Sequence, residues 1–255
     1  NHHPDPTVDS NLNEIRDEVN GNYNLGLAFD GDVDRVVAID DKSNIIRPDI
    51  LMAIFVRNLI KKNDTVVYDV KCSRSLEEII NQQSAKPLMY KTGHSLIKNK
   101  MIETKSKFGG EMSGHIFFAD RYYGYDDGIY VGLRLIELLA NSTMDLSQFL
   151  EDITIYPSTP EIRIDCKDDK QKFEIVSELI SYFSKNYNCN LIDGVRVEFD
   201  YGWGLIRASN TQPVIVFRCE ADTEEKLIEI KSLIIEQINI IGGFSIGIWK
   251  YNIWL

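Results

Sequence analysis

From Arg47 to about residue 156, short apolar runs alternate with longer amphipathic ones, and this alternation narrows the fold more than any other feature of the chain. "RPDILMAIFVRNLIKKN" (47–63) reads as a helix, with Pro at its start and Lys and Asn at its end. "DTVVYDV" (64–70) reads as a strand, and "SLEEIINQQ" (75–83) as a helix capped by Ser75. "KPLMYKT" (86–92) is a strand and "GHSLIKNKMIETKS" (93–106) a helix. "EMSGHIFFAD" (111–120) is strand-like, and "DDGIYVGLRLIELLANS" (126–142) is a helix with acids at its start. Strands alternating with helices predict mixed α/β layers over 48–156.

The flanks read differently. "NLNEIRDEVNG" (11–21) is a short helix ending at Gly21, followed by the strands "LGLAF" (25–29) and "RVVAID" (35–40). "YPSTP" (156–160) is the best linker. After it, two helices and about four strands predict a small α+β unit with an antiparallel sheet. The expected domains are therefore 1–47, 48–156 and 157–255. "NHHPDP" at the start reads as an extended connector, so the chain is expected to begin in mid-protein. The apolar, aromatic tail 242–255 suggests no function.

The formal net charge is -11, which argues against a nucleic-acid or anionic-membrane partner and requires local cations for any anionic substrate. Cys72, Cys166, Cys189 and Cys219 form no CxxC pair and lack zinc-like spacing. With no signal peptide and no bilayer-length apolar run, reduced thiols in a cytoplasmic protein are expected. Oligomeric state is not legible.

Five short segments hold residues that could carry chemistry. "FDGDVDR" sets Asp30, Asp32 and Asp34 at i, i+2 and i+4, where ionised carboxylates repel one another. A hard cation such as Mg²⁺ resolves that conflict; an acidic solvated turn is the plainer reading. An EF-hand would need Gly where Arg35 stands. "DVDRV" also fits the D-x-D-x-[TV] string of dehalogenase-type phosphatases, although "DG" separates it from the strand. Arg35 directly follows the acids, as a phosphoryl-gripping guanidinium would.

In "GGEMSGHIFF", Glu111, Ser113 and His115 alternate, so on an extended chain they share a face that could meet sugar hydroxyls. "RASNTQP" places Arg207, Ser209, Asn210 and Thr211 between two strands, where hydroxyls, an amide and turn N–H groups could hold an anion; an ordinary hairpin turn is the competing reading. Lys71 follows a strand and His94 begins a helix, both positions where α/β sheets bind anions.

Taken in order, "NHHPDP", "FDGDVDR", "DVKCSRS", "KTGHSLIK", "GGEMSGHIFF" with "DDGIY", and "RASNTQP" resemble the α-D-phosphohexomutases, the bacterial phosphomannomutase/phosphoglucomutase branch in particular. The resemblance spans nearly the whole chain up to the tail. It implies the end of a second domain, an α/β third domain and an α+β, TATA-binding-protein-like fourth domain. It implies Mg²⁺ on Asp30, Asp32 and Asp34, with Arg35, Lys71 and His94 contacting substrate. Glu111 and Ser113 would bind sugar hydroxyls, and His115 or His94 would move the proton. Arg207, Ser209, Asn210 and Thr211 would grip the phosphate that is not transferred. The implied reaction interconverts hexose 6-phosphate and hexose 1-phosphate, of mannose or glucose, through a hexose 1,6-bisphosphate. The family's phosphoserine string, Thr-x-Ser-His-Asn-Pro, has no counterpart in these residues, so the chain alone is expected to be inactive. A non-catalytic sugar-phosphate-binding module and a dehalogenase-type phosphatase are the alternatives.

Overall fold

A computed structural model describes residues 3–247, and the chain divides into two units, one up to Thr154 and one from Ile155. The first opens with helix α1 (Asn13–Val19), strands β1 (Leu25–Phe29), β2 (Val36–Asp40) and β3 (Ile45–Ile46), and helix α2 (Pro48–Leu59). It continues through β4 (Thr65–Asp69), α3 (Arg74–Gln82), β5 (Lys86–Tyr90), α4 (His94–Thr104), β6 (Phe108–Gly110), β7 (Ile116–Phe118) and α5 (Gly128–Ala140).

Strands β1, β2 and β3 form an antiparallel ribbon, with Phe29 opposite Val36 at its mouth. The six-residue loop at that mouth holds the three aspartates. Within it Val33 adopts φ 65°, a left-handed conformation that β-branched residues resist. Strands β5, β4, β6 and β7 form the second sheet in that order, and β4 pairs parallel with both β5 and β6. Helices cover both faces. On one, Ile97 and Met101 of α4 pack with Val67 and Phe117. On the other, Phe55 of α2 meets Phe118 edge-on at 5.1 Å between ring centroids and Phe108 at 6.0 Å. Burial on both faces explains the near-continuous apolar run of β4, "VVY".

Two local expectations are corrected. The cap of α3 is Ser73, whose hydroxyl accepts the Ser75 N–H at 3.1 Å; the Ser75 hydroxyl instead donates to the Thr154 carbonyl. "EMSGHIFFAD" is not one strand. Residues 111–115 form a turn, closed by Glu111 N–H to His115 O at 2.8 Å, and only Ile116–Phe118 is extended.

The second unit comprises β8 (Ile162–Asp165), α6 (Asp169–Asn186), β9 (Asn188–Asn190), β10 (Val195–Phe199), β11 (Gly202–Ala208), β12 (Val214–Ala221) and α7 (Glu224–Gly242). Its five strands lie in the order β8-β12-β11-β10-β9, every pair antiparallel. Leu179 and Phe183 of α6 and Ile230 and Ile234 of α7 share one core with Val197, Ile206, Ile215 and Phe217 of the sheet. From the apolar tail, Phe244 and Ile246 join that core; residues 248–255 lie outside the described residues. All four cysteines are free thiols, and burial pushes Cys219 up to about 12. Among the described residues no helix is long and apolar enough to cross a membrane.

Ser73→Ala is expected to cost about 1 kcal/mol in urea unfolding, because an N-cap bond is lost. Val33→Asn is expected to raise stability by about 1 kcal/mol in the same assay, since Asn tolerates the left-handed region that strains Val.

Candidate functional site

Because β4, β5 and β6 run parallel, their carboxyl ends lie along one edge of the sheet, the edge where open α/β sheets bind ligands. Lys71 follows β4, His94 follows β5 and Glu111 follows β6. The buried carboxylate of Asp69, the last residue of β4, ties the three segments together. It accepts the Thr92 hydroxyl at 3.2 Å, the Met112 N–H at 3.2 Å and the Cys72 thiol at 3.1 Å, with Lys71 Nζ at 3.8 Å. Burial pushes its carboxyl up, with the Lys71 charge opposing. Glu111 Oε1 accepts the Gly93 N–H at 2.6 Å, which binds the sugar-loop candidate to the start of α4.

The aspartate loop is held against the same region by backbone contacts. Val36 N–H donates to Gly114 O at 3.2 Å, and Gly128 N–H to Val33 O at 2.9 Å. Both glycines are required by packing. Gly114 has φ 107°, and a Cβ there would lie 3.2 Å from Val36 N and O; at Gly128 it would lie 2.9 Å from Val33 O.

Within the loop, Asp30, Asp32 and Asp34 each offer a carboxylate oxygen within 4.8 Å of the others. Asp30 accepts the Arg35 N–H at 3.1 Å and Nε at 2.7 Å. Burial opposes its ionised form, but these bonds hold its carboxyl below the ordinary range. Asp34 shifts the other way: burial, and then the charges of Asp30 and Asp32, outweigh the attraction of His115. Asp34 Oδ1 is buried with no hydrogen-bond partner.

His115 joins the two loops. Its Nδ1 lies 3.2 Å from Glu111 Oε2 and 3.0 Å from Ser113 Oγ, and its Nε2 lies 3.4 Å from Asp34 Oδ2. Burial opposes the imidazolium, yet Glu111, Asp34 and Asp126 raise its pKa above the usual value. His94 is more exposed, pairs with Asp126 at 2.7 Å and stacks on His115 with 5.3 Å between centroids. Glu111, Ser113 and His115 thus converge as expected, through a tight turn rather than strand alternation.

In the second unit, Arg207 lies inside β11 and not in the turn, a correction to its expected place. Its Nε pairs with Asp193 at 2.9 Å, while its Nη2 is buried with no hydrogen-bond partner. Ser209 Oγ accepts the N–H groups of Thr211 and Gln212 at 3.4 and 3.3 Å, so those donors turn inward. Asn210 and Thr211 are exposed. Lys172, buried on α6, donates to Ser209 O at 2.8 Å and Gln212 O at 2.9 Å and so pins the loop. Reading the sequence missed Asp69, Asp126, Lys172 and Asp193. Only "DDG" before α5 gave a sign of one of them.

Residues 47–156 match the description "Phosphoglucomutase/phosphomannomutase, alpha/beta/alpha domain III", and residues 161–237 the C-terminal domain of the same family. Phosphomannomutase/phosphoglucomutase of Pseudomonas aeruginosa is 45% identical over 252 residues, covering 95% of this chain and 53% of its own length. The crystal structure of a phosphoglucomutase/phosphomannomutase family protein from Burkholderia thailandensis superposes with a TM-score of 0.86 at 35% identity, over 99% of this chain and 53% of that one. N-acetylphosphoglucosamine mutase of Aspergillus fumigatus, solved with GlcNAc-6P and magnesium, shares the fold at TM-score 0.63 and 16% identity, over 85% of this chain and 48% of that one. The chain spans about half the length of the curated relatives it matches. With two family domains in order and the loops of the first drawn together at one sheet edge, the chain belongs to the phosphoglucomutase/phosphomannomutase family.

Proposed function

We propose that this chain carries metal-, sugar- and phosphate-binding parts of a phosphotransferase that interconverts hexose 6-phosphate and hexose 1-phosphate, of mannose or glucose, through a hexose 1,6-bisphosphate. Residues 1–47 carry the metal loop, 48–156 the sugar loop and 157–255 the phosphate loop. The observation that carries the reading is the convergence of Lys71, His94 and Glu111 at three parallel strand ends, against a loop of three carboxylates.

The aspartate loop fits a hard divalent cation. Its donors are all oxygens, they crowd one another, and Asp34 Oδ1 is buried with no hydrogen bond, its nearest cation being Arg35 Nε at 3.8 Å. Asp30, Asp32 and Asp34 would hold Mg²⁺, which would supply positive charge for phosphoryl transfer. Phosphoryl transfer needs charge and in-line placement more than covalent work by the protein. Arg35 is anchored to Asp30 through Nε, and its Nη groups, with Asp5 at 4.0 Å from Nη1, are the donors proposed to bind phosphoryl oxygens. Lys71, 6% exposed at its strand end, adds a second cation. Glu111 and Ser113 take sugar hydroxyls. Glu111 fixes the His115 ring through Nδ1, so Nε2 is the atom that exchanges a proton with the sugar hydroxyl. His94 sits on Asp126 and contacts substrate. In the second unit, Arg207, Ser209, Asn210 and Thr211 hold a phosphate, with the unpartnered Nη2 of Arg207 as the leading donor.

Titration calorimetry of the chain with glucose 1-phosphate or mannose 1-phosphate in Mg²⁺ is expected to show millimolar binding, with neither interconversion nor release of inorganic phosphate. Loss of a charged hydrogen bond in Glu111→Ala or Arg207→Ala weakens it by at least about tenfold. Silence at tens of millimolar would defeat the reading; released phosphate would favour a phosphatase. In proton NMR titrations, His115 is expected to ionise above the ordinary histidine value of about 6.5, and Glu111→Gln to lower it. The sign follows from the raised value. The His115 contribution to stability is full below about pH 6.5 and fades as pH rises through the folded-state pKa.

A further inference from the structure

His115 is oriented in the manner of a metal-bound histidine. Its Nδ1 faces the carboxylate of Glu111, whose side chain is only 2% exposed and is itself anchored by Gly93. Donating Nδ1–H to Glu111 leaves a lone pair on Nε2, and Nε2 faces Asp34 Oδ2 at 3.4 Å. A carboxylate behind an imidazole is the partner that fixes the tautomer of metal-ligating histidines. Two ligands of a tetrahedral ion with bonds of about 2.0–2.1 Å lie about 3.3 Å apart, so this pair already has the spacing of one edge.

A third ligand comes from another element. Asp126, bridged to Phe117 just before α5, offers an oxygen that lies with Asp34 and His115 in a group whose ligand atoms are all within 4.8 Å of one another. His94 Nδ1 steadies Asp126 at 2.7 Å, as an outer partner does. This set of one nitrogen and two oxygens differs in kind from the all-oxygen set of Asp30, Asp32 and Asp34. Hard Mg²⁺ suits the latter, and a borderline first-row ion suits the former.

We propose that Asp34, His115 and Asp126 form a second cation site, taking Zn²⁺-class transition-metal ions in preference to Mg²⁺. The two sites share Asp34. A filled site occupies His115 Nε2, so a transition metal inhibits proton exchange there; that consequence rests on the role given to His115 above, whereas the site itself does not.

Co²⁺ is the probe, added to the chain in excess Mg²⁺, with visible d–d absorption as the readout. The expected result is an absorption band of low-coordinate cobalt that Mg²⁺ does not abolish. Asp126→Asn and His115→Gln should each weaken Co²⁺ binding by at least about tenfold. Asp32→Asn, which touches only the all-oxygen set, should keep the band. Circular dichroism confirms that each variant is folded, and cobalt-induced broadening of the His115 ring protons in the unsubstituted chain provides a test that needs no variant. A band lost in Asp32→Asn but kept in both Asp126→Asn and His115→Gln overturns the proposal, as does a sharp His115 signal at saturating cobalt.

Discussion

The parallel pairing of β4 with β5 and β6 is the constraint on which the first unit depends. Parallel strands need crossovers, so α3 and α4 must return over the sheet, and each return delivers a new loop to the same edge. Lys71, His94 and Glu111 are therefore brought together by topology rather than by proximity in sequence. Asp69 converts that rough alignment into fixed geometry. A buried carboxylate needs donors, and it draws them from the loops after β4, β5 and β6.

Electrostatics sharpens the arrangement. The chain has a formal net charge of -11, yet its strand ends gather Lys71, His94 and His115, with Lys98 one turn into α4 and Arg35 on the facing loop. The cations are interleaved with carboxylates: Arg35 with Asp30 and, at longer range, Asp34 and Asp5; His94 and Lys98 with Asp126; His115 with Glu111 and Asp34. Each pair offsets the cost of burial without neutralising the region. Within the acidic loop, burial first and then the neighbouring Asp30 and Asp32 charges push the Asp34 carboxyl up.

Much of this was legible from the sequence. Pro48 opens α2, the apolar run of β4 marks a doubly covered strand, and the three aspartates stand at ligand spacing. The misreadings have physical causes. Strand β6 is "FGG", with no β-branched residue to signal it; its glycines exist because a Cβ at Gly109 would lie 2.6 Å from Val67 O. The alternation of Glu111, Ser113 and His115 mimicked a strand period, while the turn signal, Gly114 in a left-handed conformation, lay within it. Ser73 and Ser75 are both good caps, and only the entry of the chain into α3 separates them. Asp69, Lys172 and Asp193 act on partners 14 to 43 residues away, beyond any local pattern.

The backbone bonds from Gly114 to Val36 and from Gly128 to Val33 have a consequence for how the aspartate loop comes into being. An EF-hand loop carries its own ligands on one contiguous segment. Here the loop is clamped by segments about eighty and ninety-five residues further along, and it contains a valine in a conformation that the isolated hairpin would avoid. Its shape is therefore held by the sheet edge and the start of α5 rather than by its own hairpin. A peptide spanning β1 and β2 would carry all three aspartates and still lack the cradle.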